Sequence, residues 1–406
     1  MGSRPINLAL ICPVPTGMKE FFFSGRMHFE GMPAFQEVFL RLLEDQRVGR
    51  ILLFVPLGEP GSKKLHLPER YTDRVVLHEV YYNRSTPIRS VISLTKLALR
   101  IARLHQSGKI DRVAGFRPEG TWPAAIAGKI SGVPNFRRLY GTFLINEISQ
   151  PKLTMLRRHP LEVSSLSLGG GRVLITNDGT RGDVVYKKYG SDNNDFYFPL
   201  NGVDLPETDT DGETDVGDRY MCYIARICDW KGQKKLVEAL HILHERRVRF
   251  PRAIIVGQPS EQHYYEELLE MIGDYGLREC VTVIPGLPKD ECMRLSAGAE
   301  YVFSLYHTSN LGNVFLESIR GGAAMIALND TGSLDRFPKE IYYEVRKDSP
   351  VHVANAIEDL ETNMQRIAEI KEAAFAYGER ELKSWAERAE LEVNIILGHD
   401  RYTQAI

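Results

Sequence analysis

The chain has little cysteine: five residues in 406 (Cys12, Cys222, Cys228, Cys280 and Cys292), scattered, with no Cys-x-x-Cys and no clustered histidine partner. This argues against a disulfide framework and a zinc site, and leaves them as small buried hydrophobes. No apolar run approaches the ~20 residues that a membrane-spanning helix needs. The stretch from Met1 to Cys12 has one Arg and a short apolar run. It reads as a first strand and not as a signal peptide, so a cytoplasmic protein is expected. Net charge is also nearly lacking, at -2, whereas a general nucleic-acid binder is normally clearly basic. No Gly-x-Gly-x-x-Gly follows the first strand, which argues against a nicotinamide oxidoreductase. Gly169 to Gly171 precede a strand instead of opening a helix, and read as a connector.

What is present is an alternation of short β-branched or aromatic runs with helical periodicity, the pattern of parallel-sheet α/β domains. The length suits two such domains. In the first half the predicted strands are Leu8–Cys12, Ile51–Val55, Val75–Val80, Val113–Phe116, Phe136–Leu139 and Val173–Thr176. Phe35, Val38, Phe39 and Leu42 fall at helical spacing, as do Leu94, Leu97, Ala98, Ile101 and Leu104. Pro206 to Asp218 carries Glu, Asp, Thr and Gly with Val216 its one apolar aliphatic residue, and reads as a solvated hinge. Strands resume at Tyr220–Ala225, Ala253–Val256, Val281–Ile284, Tyr301–Leu305 and Ala324–Leu328, and Leu236, Ala239, Leu240 and Leu243 mark a helix face. A long amphipathic tail runs from Val353 to Leu397. Two open sheets separated by a hinge predict a ligand cleft at the carboxyl ends of their strands.

Two segments carry chemistry. Arg226-Ile-Cys-Asp-Trp-Lys231-Gly232 follows a strand and opens a helix, so two cations and a helix N-terminus could meet a diphosphate. Read alone, Lys and Arg in a loop are ordinary surface charges. His307-Thr-Ser-Asn-Leu-Gly-Asn-Val-Phe-Leu-Glu317 lies at another strand end. Its Ser309, Asn310, Gly312 and Asn313 suit a helix start whose N–H groups hold phosphate or sugar oxygens, and Glu317 follows in the helix.

The order of these motifs resembles the retaining glycosyltransferases of family four (glycosyl transferases group 1), whose donor domain reads strand, Gly-Arg, Lys-Gly, helix, further strands, then Glu, seven residues and a second Glu. The matching positions are Ala225-Arg226, Lys231-Gly232, Val256-Gly257, Val283 to Gly286 and Ser309 to Glu317, with Gly312 at the family's Gly. Asn201-Gly-Val-Asp204 resembles the interdomain segment, and Ser384-Trp385 the start of the final crossing helix. The likeness runs over residues 170 to 397 and covers the N-terminal part in outline.

The resemblance implies a GT-B fold, two Rossmann-like doubly wound domains facing across a cleft. Residues 1–204 would form the acceptor-side domain, with a C-terminal helix at 385–400 packing back on it. Residues 205–384 would bind the nucleotide-sugar donor. Arg226 and Lys231 would hold the diphosphate, and Glu317 the ribose hydroxyls. Gly286 and Leu287 would approach the base, while Asn310, Leu311, Gly312, Asn313 and Val314 would line the phosphate and sugar. No cofactor is implied beyond the co-substrate, and no metal, because two cations and a helix terminus replace it. Asp209 and Asp211 form an Asp-x-Asp, but a hinge is a poor metal site.

Two departures stand out: Ser309 occupies the family's first Glu, and Tyr140 the place of an acceptor-domain His. Gly17, Gly25 and Gly31 are candidates for a loop closing on the phosphates, and Arg117 and Glu119 lie where an acceptor could be met. The acceptor that the resemblance implies is a hydroxyl of a saccharide, a lipid-linked glycan or a small molecule. A nucleotide-sugar epimerase and a non-catalytic binding homologue are the alternatives. Arg137, Arg138, Lys152, Arg157 and Arg158 read either as peripheral contact with anionic lipid or as a solvated face.

Overall fold

A computed structural model of the chain describes residues 4–15, 17–27, 33–58, 64–82, 86–204 and 219–399. Its first parallel sheet comprises β1 (Ile6–Ile11), β2 (Val48–Leu57), β3 (Val75–Tyr81), β4 (Arg112–Phe116), β5 (Asn135–Leu139), β6 (Arg172–Ile175) and β7 (Asp195–Tyr197). The strand order is β3-β2-β1-β4-β5-β6-β7. Its helices are α1 (Lys19–Ser24), α2 (Pro33–Glu44), α3 (Pro87–Gln106), α4 (Arg117–Ser131), α5 (Lys152–Arg158), α6 (Pro160–Ser167) and α7 (Gly182–Tyr189). Leu8, Ala9, Leu10 and Ile11 of β1 are wholly buried, as expected of a central parallel strand covered on both faces.

The second sheet contains β8 (Tyr220–Ile224), β9 (Arg252–Val256), β10 (Val281–Ile284), β11 (Tyr301–Ser304), β12 (Ala324–Leu328) and β13 (Tyr343–Val345), in the order β10-β9-β8-β11-β12-β13. Its helices are α8 (Gln233–Glu245), α9 (Gln262–Asp274), α10 (Lys289–Gly298), α11 (Asn313–Arg320), α12 (Pro350–Thr362) and α13 (Met364–Glu381). The last helix among the described residues is α14 (Trp385–Leu397). The amphipathic stretch from Val353 to Leu397 thus comprises three helices. The first break falls at Asn363 (φ -131, ψ 71), with no Gly or Pro to announce it, and the second at the extended Leu382.

The chain divides into two units: residues 1–177, 181–202 and 385–406 in one, residues 178–180 and 203–384 in the other. In the first unit β4 turns into α4 through Arg117, a side-chain-bearing residue at φ +60. The turn is tight, because a Cβ on Gly115 would stand 2.1 Å from the Gly120 carbonyl oxygen, and one on Gly120 2.4 Å from that of Ile11. Only glycine permits this approach of helix to strand.

A buried ion cluster fixes α14 in this unit. Arg138 Nε donates to Glu392 Oε1 at 2.7 Å, and Arg388 Nη1 lies 3.0 Å from Glu392 Oε2. Arg388 Nε also donates to the Leu200 carbonyl at 2.9 Å. The lipid-facing or solvated reading of Arg137 and Arg138 is therefore corrected. β5 lies between β4 and β6 with every residue buried, and Arg137 donates inward to the carbonyls of Ser165 (2.5 Å) and Leu168 (2.6 Å). Burial pushes Arg137 down to about 10. Lys152, Arg157 and Arg158 remain exposed. Among the described residues no helix is long and apolar enough to cross a membrane.

Candidate functional site

In the second sheet β8 is flanked by β9 on one side and β11 on the other, so the chain changes direction across the sheet there. The carboxyl ends of such a strand pair form the crevice where open α/β sheets take ligands. Both expected motifs sit at these ends. The first makes a tight turn, Asp229–Lys231, before α8, and the second follows β11 and leads into α11. Hydrogen bonds tie them together: His307 N to the Trp230 carbonyl (3.1 Å), Leu305 N to the Tyr223 hydroxyl (3.2 Å) and the Tyr306 hydroxyl to the Ile224 carbonyl (3.1 Å).

Lys231 Nζ lies 3.5 Å from the centre of the Tyr306 ring and 4.0 Å from that of Trp230. The exposed Arg226 places its guanidinium carbon 5.7 Å from the same Trp230 ring. Burial, and then the neighbouring Arg226 charge, push the Lys231 ammonium down to about 7. Among the described residues neither cation pairs with a carboxylate. Lys235, one turn on, is the contrast. It pairs with Asp348, which also accepts from His307 Nδ1 at 2.7 Å, so its charge is already met.

An anion beside Lys231 restores its proton. Below about pH 7 the ammonium is already charged in the free protein. Above that value binding must take up a proton, so affinity for a diphosphate should fall as pH rises from about 7 toward the ordinary lysine range. Calorimetry at pH 8 in buffers of different ionisation enthalpy should show net proton uptake, and in Lys231→Met that uptake should vanish.

Sequence reasoning missed Asp178, which joins this unit from earlier in the chain. Its carboxylate accepts from Ser309 Oγ (3.2 Å), Thr180 N (3.1 Å) and Thr180 Oγ1 (2.6 Å). Burial pushes the carboxyl above its ordinary range, against these hydrogen bonds. Ser309 is itself in the left-handed region, at φ +56. Gly179 (φ +91) lets the segment dock, since a Cβ there would stand 2.4 Å from Asn310 Oδ1. No spacing in the sequence could link positions 178 and 309.

Two of the expected ligand residues are engaged within the fold. Asn310 is buried and its amide is used in the scaffold, with Nδ2 donating to the Leu328 carbonyl (2.7 Å) and Oδ1 accepting from Ser333 Oγ (2.7 Å). Leu311 is buried and its N–H donates to the Asp178 carbonyl (3.1 Å). Gly312, Asn313 and Val314 remain at the helix start, half-exposed, ahead of the first bond within the helix, Phe315 N to the Gly312 carbonyl at 3.1 Å. Glu317 follows one turn on, 3.1 Å from Lys289 Nζ, with its side chain only 12% exposed. Lys289 opens α10 just after Gly286 (φ +103) and the half-buried Leu287, which brings that loop to the Glu317 side.

Tyr140 and Gly17 belong to the first unit. The Tyr140 hydroxyl is buried with no hydrogen-bond partner among the described residues, and the Arg138 guanidinium lies 4.2 Å from its ring. Burial pushes it well above the usual phenol range, so it keeps its proton at neutral pH. Gly17 (φ +90) precedes α1, while Gly25 caps the end of that helix through its N–H to the Glu20 carbonyl. Gly31, Asp209, Asp211 and the expected hinge at 206–218 lie outside the described residues. Among the described residues no group of three or more His, Cys, Asp and Glu forms a metal-binding cluster.

Known proteins resemble the chain over one segment in sequence and in overall fold. Residues 206–377 match the family model described as Glycosyl transferases group 1. No curated relative matches the chain by sequence. Among solved structures, a glycosyltransferase from Rickettsia africae superposes with a TM-score of 0.65 at 16% identity, over 98% of this chain and 100% of that one. Anabaena Alr3699/HepE in complex with UDP gives 0.66 at 18% identity, over 97% and 99%. Sucrose-phosphate synthase from Thermosynechococcus elongatus gives 0.66 at 14%, over 95% and 96%. The chain therefore has two parallel-sheet Rossmann-like domains that match GT-B glycosyltransferase structures.

Proposed function

We propose that the protein is a retaining glycosyltransferase of family four, moving a sugar, a hexose in the first instance, from a nucleotide-diphosphate donor to an acceptor hydroxyl. The observation that carries this reading is the Arg226–Lys231 turn: two cations without carboxylate partners among the described residues, one held between aromatic rings at a switch point. The family match over this segment and the UDP complex of the Anabaena protein support it. In the proposed reaction the bond from the anomeric carbon to the diphosphate breaks while the acceptor oxygen bonds to the same face. The acceptor proton passes to a diphosphate oxygen. Little protein acid or base is needed, and the work is positioning and stabilising the leaving charge.

Glu317, as an ionised acceptor, suits the two hydroxyls of a ribose, with Lys289 as its present partner. Asp178 supplies the carboxylate that Ser309 lacks and is assigned to a hydroxyl of the transferred sugar. Asp178→Asn should leave nucleoside-diphosphate affinity unchanged and remove about tenfold of the extra affinity for the matching nucleotide sugar, the worth of one hydrogen bond to a charged group. Equal loss for both ligands would place Asp178 in the fold and not at the sugar.

The reaction is proposed to proceed without metal, because Arg226, Lys231 and the start of α11 take the place of a divalent cation on the diphosphate. Turnover in EDTA should equal turnover without it. Loss on chelation, restored by magnesium or manganese, would overturn this part. The base is found by a thermal-shift screen of nucleoside diphosphates, since a ligand of the native state raises the melting temperature. No shift with any of them would remove the donor-site assignment.

A further inference from the structure

The first unit holds a cavity of about 370 Å³ that none of the chemistry above uses. It lies where β3 and β4 end, against the starts of α4 and α6, and its volume is at the low end of the roughly 300–1,000 Å³ usual for small-molecule sites. Glu119 and Glu162, each in the first turn of its helix, face it together with Tyr82, Arg158 and His159. Pro118, Pro160 and Leu161 give it an apolar wall.

Each carboxylate of this cavity already has a basic side chain within 3.8 Å. Arg117 Nε lies 3.8 Å from Glu119 Oε2, and His159 Nδ1 lies 3.8 Å from Glu162 Oε2. Arg158 and His159 are in turn held by Glu147, at 2.5 and 2.9 Å. What is unmet is hydrogen bonding. Glu119 Oε2 is buried without a hydrogen-bond partner among the described residues, and Glu119 Oε1 has only a long 3.4 Å contact from the Tyr82 hydroxyl. A buried carboxylate oxygen in that state is costly, and the deficit is removed by O–H donors that bring no charge. Burial also pushes the Glu162 carboxyl up, with Glu119 adding to the shift and His159 opposing it, so a further anion is disfavoured.

We propose that this cavity binds a neutral, hydroxyl-rich compound, a saccharide or other polyol, whose hydroxyls donate to Glu119 and Glu162 while its C–H face packs on Pro118, Pro160 and Leu161. Resting on the transferase reading, this compound is the acceptor. The site itself stands on its own geometry.

The test is saturation-transfer NMR and calorimetry on the full chain with neutral mono- and disaccharides, with glucosamine and glucuronate as charged controls. At least one neutral saccharide should bind, ahead of both charged sugars, and Glu119→Gln and Glu162→Gln should each weaken it tenfold or more. Nucleoside-diphosphate affinity should stay at the parent value in both variants. Saccharide binding without any nucleotide binding would keep the cavity and sink the transferase reading. Nucleotide binding with no saccharide bound, or with saccharide affinity unchanged in both variants, would overturn the cavity proposal. Preference for the cationic or the anionic sugar would overturn its charge argument.

Discussion

Glu392→Ala should destabilise the first unit by about 3–5 kcal/mol, the usual effect of removing one member of a buried ion cluster. Glu392 is the sole acid between Arg138 and Arg388 in the cluster described, and both side chains of its 2.7 Å pair with Arg138 are 1% exposed. Without it two guanidinium groups stay buried with no counter-charge. Burial already pushes Arg388 down to about 10 with Glu392 present, so the site holds no surplus of negative potential. At roughly 2–4 °C per kcal/mol for a unit of this size, the melting transition should drop on the order of 10 °C. Glu392→Gln, which keeps an acceptor oxygen but not the charge, should fall between the two. A drop under about 3 °C in Glu392→Ala would show that the two arginines find other partners.

Lys231→Met should weaken nucleoside-diphosphate binding by about 1.5–3 kcal/mol, roughly ten- to a hundredfold, since a charge-assisted contact in a half-buried site is lost. Methionine keeps the aliphatic stem between Trp230 and Tyr306 and removes only the charge. The same variant should melt at or above the parent temperature without ligand. The reason is the depressed pKa: the folded state disfavours the ammonium, so removing it relieves the free protein. Weaker binding with equal or greater stability separates a ligand-facing cation from a structural one. Arg226→Ala should weaken binding by a similar factor. Unchanged affinity in both variants by calorimetry would remove the diphosphate site.

The fold was legible because its strands are short apolar runs bounded by polar turns. Val281–Ile284 and Ala324–Leu328 fall where expected, and the other expected strands differ from the observed ones by a few residues. β7 and β13 escaped, since Asp195-Phe-Tyr and Tyr343-Glu-Val are three-residue edge strands with no apolar run to mark them. The break at Asn363 escaped because helical periodicity continues across it while the backbone does not. At the site, the place of Arg226 and Lys231 at the carboxyl end of a strand could be read from the apolar run that precedes them. Asn310 could not: a small polar residue at a helix start looks alike whether it meets a ligand or, as here, the Leu328 carbonyl. Asp178 and Arg137 show the same limit from two sides. A carboxylate 131 residues from Ser309 becomes its neighbour, and a cation in a basic stretch becomes part of the interior, by tertiary packing alone.

The central claim is transfer from a nucleotide sugar with retention, and its most direct test needs no known acceptor. The protein is incubated with a panel of nucleotide sugars, and slow donor hydrolysis is followed by proton NMR at the anomeric signals, with Lys231→Met as control. The account predicts release of nucleoside diphosphate from at least one donor, suppressed in Lys231→Met, with the first-formed free sugar keeping the donor's anomeric configuration. Release of the inverted anomer would contradict retention, and no release from any donor would leave a binding protein in place of an enzyme.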